Sequence, residues 1–272
     1  MMRPEAASWI TKREPHPSRR RERTVTETRC RIGSKPLIVA VDPEVEPFVS
    51  LSVLTERHCR LLAMFGLLGA LGFISRRRPA MAILTLDRRH LEEPQLPEIL
   101  SEMSSACTLA VVVRPGVVVT ASLLARISAG GLYRAPMDVS RALNAVRTAV
   151  GLPLPPTNRH VIAAIEYMSA RRAASLPVHR IAAAIGVSAG RLAHLFQDEL
   201  QLPVHEYLIR TRVEATRYLL VTTGKPLGEI ASLVGFSDAG HLSRVFARYI
   251  GCRPQQYRTA GFPLGPIRFR KF

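Results

Sequence analysis

The sequence Ile181-Ala-Ala-Ala-Ile-Gly-Val-Ser188 returns, with substitutions, as Ile230-Ala-Ser-Leu-Val-Gly-Phe-Ser237. Each copy is typical of a short helix, a turn at glycine and a polar residue that caps a second helix. That second helix has apolar residues at helical spacing, namely Leu192, Leu195 and Phe196 in the first copy and Leu242, Val245 and Phe246 in the second. One such match also describes αα-corners that never touch DNA, but two copies predict a pair of helix-turn-helix units.

The opposite face of each second helix supplies the side chains that we predict to contact bases. They are Gly190, Ala193, His194 and Gln197 on the first helix and Gly240, Ser243 and Arg244 on the second. Arg244 is the main candidate, because a guanidinium can donate two hydrogen bonds to a guanine edge. Gly190 and Ala193 offer no polar contact, so the first helix is expected to be a poor direct reader. Specificity then depends on the second helix or on DNA shape.

Four further residues are predicted to contact phosphates. Ser188 and Ser237 are expected at helix N-termini, where backbone amides and the helix dipole attract anions. Both serines are also predicted N-caps, a role that contributes about 1 kcal/mol without any DNA. Arg212 and Arg248 complete the set. For Arg212 a structural role is equally open, in which it braces the long helix predicted over residues 204–221 against Glu residues.

The C-terminal part of the chain resembles the AraC/XylS family of bacterial transcription regulators. The resemblance rests on the two repeats and on Tyr207, Arg212, Ala215, Leu219, Leu220, Phe246, Pro254 and Tyr257. It implies two helix-turn-helix units joined by one long helix. It also implies that both recognition helices enter successive major-groove segments on one face of duplex DNA.

Positive charge is concentrated at the two ends of this 272-residue chain, which has a formal net charge of +17 and a pI near 11.0. Residues 1–35 carry 10 Lys+Arg against 4 Asp+Glu (net +6), residues 36–155 carry 12 against 10 (net +2), and residues 156–272 carry 16 against 7 (net +9). A field of this sign attracts polyanions, so nucleic acid or an anionic membrane surface is the first partner to consider.

Strands alternate with helices between residues 36 and 152. The apolar runs 37–41, 81–86 and 109–113 are typical of buried parallel strands, and another strand-and-helix region ends near Ser75. Helical patterns follow the first strand to about Arg57 and cover 96–105, 122–128 and 138–150. The predicted fold class is therefore α/β, a doubly wound parallel sheet, followed by an all-helical double helix-turn-helix.

The α/β region resembles a response-regulator receiver domain. The resemblance rests on the order of its strands, on Arg77-Arg-Pro79 before one of them, and on Tyr133-Arg-Ala-Pro-Met-Asp138 before the last helix. Working receivers need an acidic pair for Mg²⁺, a phosphoacceptor Asp and a Lys before a proline. The matching positions here are Asp42 and Glu44 for the pair, Thr85 and the nearby Asp87 for the acceptor, and Ala135 for the Lys. We therefore expect a degenerate receiver that is not a phosphorylation switch.

Composition divides the chain into five predicted segments. They are a basic disordered tail (1–35), the receiver-like domain (36–152), a Pro-rich linker (153–156), the double helix-turn-helix (157–262) and a second basic tail (263–272). Alternatively, residues 1–35 precede the true start codon. The linker is predicted because three prolines in a short run favour extended backbone. Thr157 is expected to cap the helix that follows.

The sequence gives little support to catalysis or metal binding. GxSxG, P-loop, GxGxxG and HExxH motifs are absent, and no cofactor is predicted. The cysteines are scattered, without the spacing of a zinc site or a disulfide framework: Cys30, Cys59, Cys107 and Cys252. A DNA-repair alkyl acceptor is the enzyme alternative, since some of these proteins carry the same double reader. It would need a reactive cysteine, and no sequence setting indicates one.

These patterns predict a cytoplasmic bacterial transcription regulator. No secretory signal is visible, and the apolar run 61–74 is too short to span a bilayer. The expected partners are promoter DNA, RNA polymerase, which the protein recruits or blocks, and a second copy of the chain held through the α/β domain. That domain is expected to receive a signal other than phosphorylation. The alternative is a protein-interaction adaptor or a non-specific DNA binder with a weakened reader.

Overall fold

A five-stranded parallel sheet lies in the first half of the part of the chain that the structure describes. The computed structural model describes residues 35–121, 125, 130–261, 264–265 and 269. The strands are β1 (Leu37–Val41), β2 (Arg60–Met64), β3 (Met81–Leu86), β4 (Thr108–Val113) and β5 (Leu132–Arg134), paired in the order β2-β1-β3-β4-β5. The central strands are apolar and buried over nearly their whole length, as expected for a sheet that is covered on both faces.

Helices cover both faces of this sheet. Helices α1 (Val45–Thr55) and α5 (Val139–Val150) share one hydrophobic cluster with the sheet, whereas α2 (Leu67–Arg77) and α4 (Leu96–Ala106) share another. The short helix α3 (Arg88–Leu91) follows β3. The predicted parallel sheet with helices is therefore present, while the closer likeness to a receiver stays a prediction. The helix expected at 122–128 falls, apart from residue 125, outside the described residues.

The second half of the described chain is helical. Its elements are α6 (Arg159–Ala170), α7 (Val178–Ala184), α8 (Ala189–Leu200), α9 (Val204–Thr222), α10 (Leu227–Val234), α11 (Ala239–Ile250) and α12 (Pro254–Thr259). The predicted long helix is α9, which ends one residue later than expected. None of the helices in the described part of the chain combines the length and apolar character needed to cross a bilayer.

The first helix of this half is capped by a different residue from the one predicted. Asn158 is its N-cap, and its side chain accepts a hydrogen bond from the His160 amide (2.9 Å). Thr157 instead donates its amide and its hydroxyl to the Glu199 carboxylate on α8 (2.6 and 3.1 Å). Thr and Asn both favour N-caps, so the contact with Glu199, remote in sequence, decided between them.

Helices α1 and α9 pack antiparallel against each other. Three contacts join them, and their order along α1 is the reverse of their order along α9. These contacts are Glu56 with Arg210 (3.1 Å), Ser52 with Glu214 (3.0 Å), and Phe48 with Tyr218 (ring centroids 6.0 Å apart). The contacts recur every four residues in each helix, which keeps them on one face of each. Since α1 also packs on the sheet, the α/β and helical halves share one hydrophobic cluster.

A buried ion pair lies at the centre of the contact between α1 and α9. Glu214 and Arg217 approach to 2.6 Å with side chains that are 0% and 6% exposed. The second carboxylate oxygen of Glu214 accepts from the Ser52 hydroxyl, and Arg217 donates to the Tyr257 hydroxyl (3.1 Å) and to the Gly265 carbonyl (3.2 Å). Charges buried at this depth need such partners. The network therefore links α1, α9 and α12.

Replacing Glu214 by Ala is expected to lower the free energy of unfolding by about 3–5 kcal/mol, because it leaves the Arg217 charge buried without its counter-ion. Urea denaturation of the full chain measures this. Glu229→Ala is the matched control. Glu229 on α10 pairs with Lys225 in the preceding turn, both side chains are about 40% exposed, and a loss below about 1 kcal/mol is expected. Equal losses of unfolding free energy in the two variants would contradict the larger contribution expected of the buried pair. If Glu214→Ala does not fold, Glu214→Gln should fold with a smaller loss, because its amide oxygen can still accept from Arg217 and its NH2 can donate to the Ser52 hydroxyl.

Candidate nucleic-acid interface

The first repeat folds as helix α7, a turn at Gly186 and helix α8. Gly186 has φ 73°, a left-handed conformation that favours glycine. Ser188 caps α8 as predicted, accepting a hydrogen bond from the Arg191 amide (3.1 Å). Leu192, Leu195 and Phe196 are buried. The apolar face of the second helix therefore points into the core, as its spacing predicts.

The second repeat folds in the same way but is capped one residue later than predicted. Asp238 is the N-cap of α11 and accepts from the His241 amide (2.7 Å). Ser237 precedes the cap and donates its hydroxyl to Asp238 (2.8 Å). The expected cap at Ser237 was wrong because the second copy has one extra residue between its glycine and its helix. Gly235 (φ 87°) leaves no room for a Cβ, which would lie 2.4 Å from the Arg172 carbonyl oxygen.

An equivalent aromatic pair holds each recognition helix to the core. Phe196 of α8 packs edge-on against Tyr207 at 5.9 Å, and Phe246 of α11 packs edge-on against Tyr257 at 5.5 Å. Edge-to-face pairs of buried rings are favourable beyond their buried area. The two units are thus alike in packing as well as in sequence. Leu242 and Phe246 are buried as predicted, and Val245 is half-buried.

Most of the predicted base-contacting residues are exposed. On α8 these are Gly190, Ala193, His194 and Gln197; on α11 Gly240 and Arg244 are exposed and Ser243 is half-buried. Arg244 lies back along the first turn of α11, where its Nη1 would be 3.5 Å from a Cβ built on Gly240. The absence of a side chain at Gly240 therefore gives the guanidinium room at the start of the helix.

The predicted phosphate contacts divide into two groups. Ser188, Ser237 and Arg248 are exposed on or beside the recognition helices. Arg212 is half-buried, and its guanidinium donates to the carbonyl oxygens of Arg172 (3.2 Å) and Ala174 (2.8 Å). Burial, with Arg172 nearby, lowers the pKa of Arg212 below its ordinary value. Its partners are thus carbonyl groups rather than the expected Glu residues, and it ties α9 to the segment before α7.

The ion pairs that were expected for Arg212 belong to its neighbours on α9. Arg210 pairs with Glu206 (2.8 Å) and with Glu56 (3.1 Å), and Arg217 pairs with Glu214. The helical periodicity decides this, because residues 210, 214 and 217 lie on the face of α9 that turns toward α1.

Arg191 is an exposed cation on the first turn of α8 that the sequence reasoning left out. It lies three residues before His194 and so shares a side of the helix with it. The apolar set Leu192, Leu195 and Phe196 already excluded Arg191 from the buried face, which is the signal that identifies it. With Arg191 included, the first helix has a side chain suited to guanine or to phosphate.

Residues 181–260 match the family described as "Helix-turn-helix domain". The matched residues include both repeats. The arabinose operon regulatory protein of Escherichia coli (strain K12) is 32% identical over 106 residues, which are 39% of this chain and 36% of that protein. The Msm operon regulatory protein of Streptococcus mutans serotype c is 33% identical over 84 residues, 31% of this chain and 30% of that protein.

A solved structure is similar to part of this chain. It is a transcriptional regulator from Chromobacterium violaceum, described as one of the AraC-type DNA-binding domain-containing proteins. The two sequences are 27% identical, the TM-score is 0.36, and the match covers 38% of this chain and 91% of that one. The sequence matches support the resemblance of the helical half to AraC-family regulators. This chain spans about a third of the length of the curated relatives, 36% and 30% of the two named above.

The carboxyl edge of the sheet holds the residues of the predicted degenerate receiver site. Asp42 directly follows β1 and has φ 46°, an unfavourable conformation for a residue before proline. Its carboxylate accepts from the Gly66 amide (3.2 Å) and contacts His90 Nε2 (3.2 Å). The Asp87 amide donates to Nδ1 of the same ring (2.9 Å), so in the neutral ring the proton is on Nε2. His90 therefore lies between Asp42 and Asp87.

The remaining positions of this site are also engaged. Asp87 caps α3 and accepts from the Arg89 guanidinium (2.7 Å), a hydrogen bond that holds the pKa of Asp87 below its ordinary value. Glu44 lies 3.7 Å from Arg114, and Thr85 is buried. Ala135 contributes only a methyl group where a receiver has an ammonium group.

These residues do not fit a Mg²⁺ site, because the carboxylates face nitrogen donors rather than an open octahedral position. Across the described residues, no group of three or more His, Cys, Asp or Glu side chains is arranged to bind a metal ion.

The cysteine chemistry gives no support to the alkyl-acceptor alternative. Burial raises the pKa of the Cys107 thiol to about 11, whereas a nucleophilic cysteine needs a lowered pKa. Cys59 is buried, and Cys30 lies outside the described residues.

The two candidate caps of α11 can be separated by mutation. Asp238→Ala is expected to lower the melting temperature more than Ser237→Ala, because only the first removes the acceptor for the His241 amide. Circular dichroism of the full-length variants measures both. A larger loss for Ser237→Ala would restore Ser237 as the cap.

The edge of the sheet is expected to resist phosphorylation. After incubation with acetyl phosphate and Mg²⁺, the intact mass of the protein should be unchanged. Thr85 lacks the acceptor carboxylate, and His90 forms hydrogen bonds with both Asp42 and Asp87. A working receiver treated in the same way is the positive control. A phosphoryl adduct on Asp42 or Asp87 would contradict this reading.

Proposed function

We propose that the protein is a sequence-specific DNA-binding transcription regulator of the AraC/XylS type. In this proposal α8 and α11 are the recognition helices, and they enter successive major-groove segments of duplex DNA. The protein acts at a promoter in the bacterial cytoplasm and recruits or blocks RNA polymerase. A homodimer held through the α/β half is part of the proposal.

The observation that carries the proposal is the twofold occurrence of a recognition helix with a buried apolar face and an exposed opposite face. The same kind of Phe–Tyr pair anchors both helices, α8 to Tyr207 of α9 and α11 to Tyr257 of α12, whose hydroxyl accepts a hydrogen bond from Arg217 of α9. The exposed faces carry Arg191 and His194 on one helix and Arg244 on the other. Cationic and polar side chains at the start of a helix suit base edges and phosphates.

Control of the regulator is proposed to pass through the α/β half without phosphorylation. The engagement of Asp42 and Asp87 with His90 favours this, because these carboxylates serve the local structure. The α1–α9 contact gives the α/β half direct access to the helix that carries both readers.

Selection of bound duplexes from a random DNA library at near-physiological salt tests the function. Wild type is expected to recover a motif with two half-sites about one helical turn apart. Arg244→Ala should blur one position of one half-site, with a loss of about 1–3 kcal/mol in discrimination, because a bidentate guanine contact is removed. Arg191→Ala is expected to act on the other half-site.

Arg248→Ala is the matched control on the same helix. As a predicted phosphate contact, Arg248 should affect all sequences alike and reduce the slope of log affinity against log salt by about 1. Recovery of no motif, with steep salt dependence and indifference to Arg244, would replace the proposal by a non-specific binder or an adaptor. The affinity for DNA alone does not test the proposal, because the basic segments 1–35 and 263–272 attract DNA of any sequence.

A further inference from the structure

A cleft of about 480 Å³ lies between the carboxyl edge of the sheet and the end of α9. Asp42, Thr85 and Asp87 line it from the ends of β1 and β3, and Tyr218 and Val221 line it from α9. It is of the size of small-molecule sites.

The strand order places this cleft at a switch point of the sheet. Strands β1 and β3 are neighbours, and the chain proceeds from them to opposite sides of the sheet, in the order β2-β1-β3-β4-β5. The helices after β1 and β3 therefore lie on different faces, which leaves a crevice outside the carboxyl ends of these two strands. Open α/β sheets bind ligands at such crevices.

The charged groups around the cleft point to an anionic ligand. Its carboxylates face inward, with the Asp42 and Asp87 side chains 22% and 16% exposed, and both are already paired with His90 or Arg89. Its guanidinium groups face outward: the side chains of Arg89 and Arg114 are 82% and 43% exposed. Within the described residues, the ion contact of Arg114 is with Glu44 at 3.7 Å, beyond hydrogen-bonding distance. Arg114 therefore has donors for a carboxylate or phosphate.

The other wall of the cleft is apolar. Phe65 is 44% exposed and Val221 is 38% exposed, and both line the cleft. Phe65 packs edge-on against Tyr218 (6.1 Å), so the aromatic wall is fixed in place. An aliphatic or aromatic ligand body would remove these side chains from water.

We propose that this cleft binds a small amphipathic organic anion, with its carboxylate or phosphate on Arg114 and its apolar body against Phe65 and Val221. That this ligand is the signal of the regulator depends on the function proposed above. It would touch the last turn of α9 directly, just before the second helix-turn-helix. Tyr218 already joins the two sides, donating its hydroxyl to the Pro43 carbonyl (2.7 Å).

Binding is tested on the full chain with 8-anilinonaphthalene-1-sulfonate as fluorescent probe and with octanoate and octanamide as competitors of nearly equal size. Octanoate is expected to displace the probe at a concentration about tenfold or more below that of octanamide, the ratio that a charged hydrogen bond contributes. Arg114→Gln should abolish the difference. Arg60→Gln, an exposed cation at the amino end of β2, should preserve it. Phe65→Ala should weaken both competitors.

Equal displacement by the two competitors in wild type, or the same result for Arg114→Gln and Arg60→Gln, would overturn the proposed site. The DNA selection described above is run on the same preparations without competitor. A chain that recovers a DNA motif but shows no Arg114-dependent binding loses the cleft proposal alone. A chain with Arg114-dependent binding and no DNA motif keeps the cleft and loses the regulator function.

Discussion

The antiparallel packing of α1 on α9 is the contact on which the arrangement of the described chain depends. Helix α1 buries eight of its eleven residues, from Phe48 to Thr55, so it has no face suited to water. Because consecutive residues of a helix point in different directions, this burial requires neighbours on every side of α1. The sheet covers one side of α1 and α9 covers the other. Helix α9 in turn anchors the recognition helices through Tyr207 and, by way of Arg217, Tyr257.

This arrangement makes α9 a structural element of both halves. Its contacts with α1 recur every four residues and include the Glu56–Arg210 ion pair and the hydrogen bond from Ser52 to the buried Glu214 carboxylate. Helix α9 therefore cannot rotate or shift relative to the sheet without breaking several contacts together. In the function proposed above, a recognition helix held in this way would lose little conformational freedom on binding DNA, which favours affinity. In the same proposal, the contacts between α1 and α9 would carry a change at the carboxyl edge of the sheet to the recognition helices.

Local patterns in the sequence predicted the elements well, and long-range contacts explain where they failed. Apolar runs placed β1 and β3 at their observed bounds, because buried parallel strands have a continuous apolar signature. The predicted N-caps at Thr157 and Ser237 were wrong, because neighbouring residues compete for the cap position. At Thr157 the contact with Glu199, distant in sequence, decides; at Ser237 one extra residue before the helix decides. The extra residue in the second repeat could have been found in the sequence, because Leu192 and Leu242 are one residue further apart than Gly186 and Gly235. Periodicity alone does not identify α9 as the helix that covers α1.

At the sheet edge, a few substitutions redirect the chemistry while the backbone arrangement stays suited to a ligand. In a receiver, the carboxylates at the ends of β1 and β3 would serve a metal ion and a phosphoryl group. Here His90 lies between Asp42 and Asp87, and Arg89 pairs with Asp87, so both carboxylates already have partners within the protein. The charge that remains most exposed to the cleft is that of Arg89 and Arg114. Since an electrostatic site selects the sign opposite to its exposed groups, an edge that would hold a cation becomes one that attracts an anion.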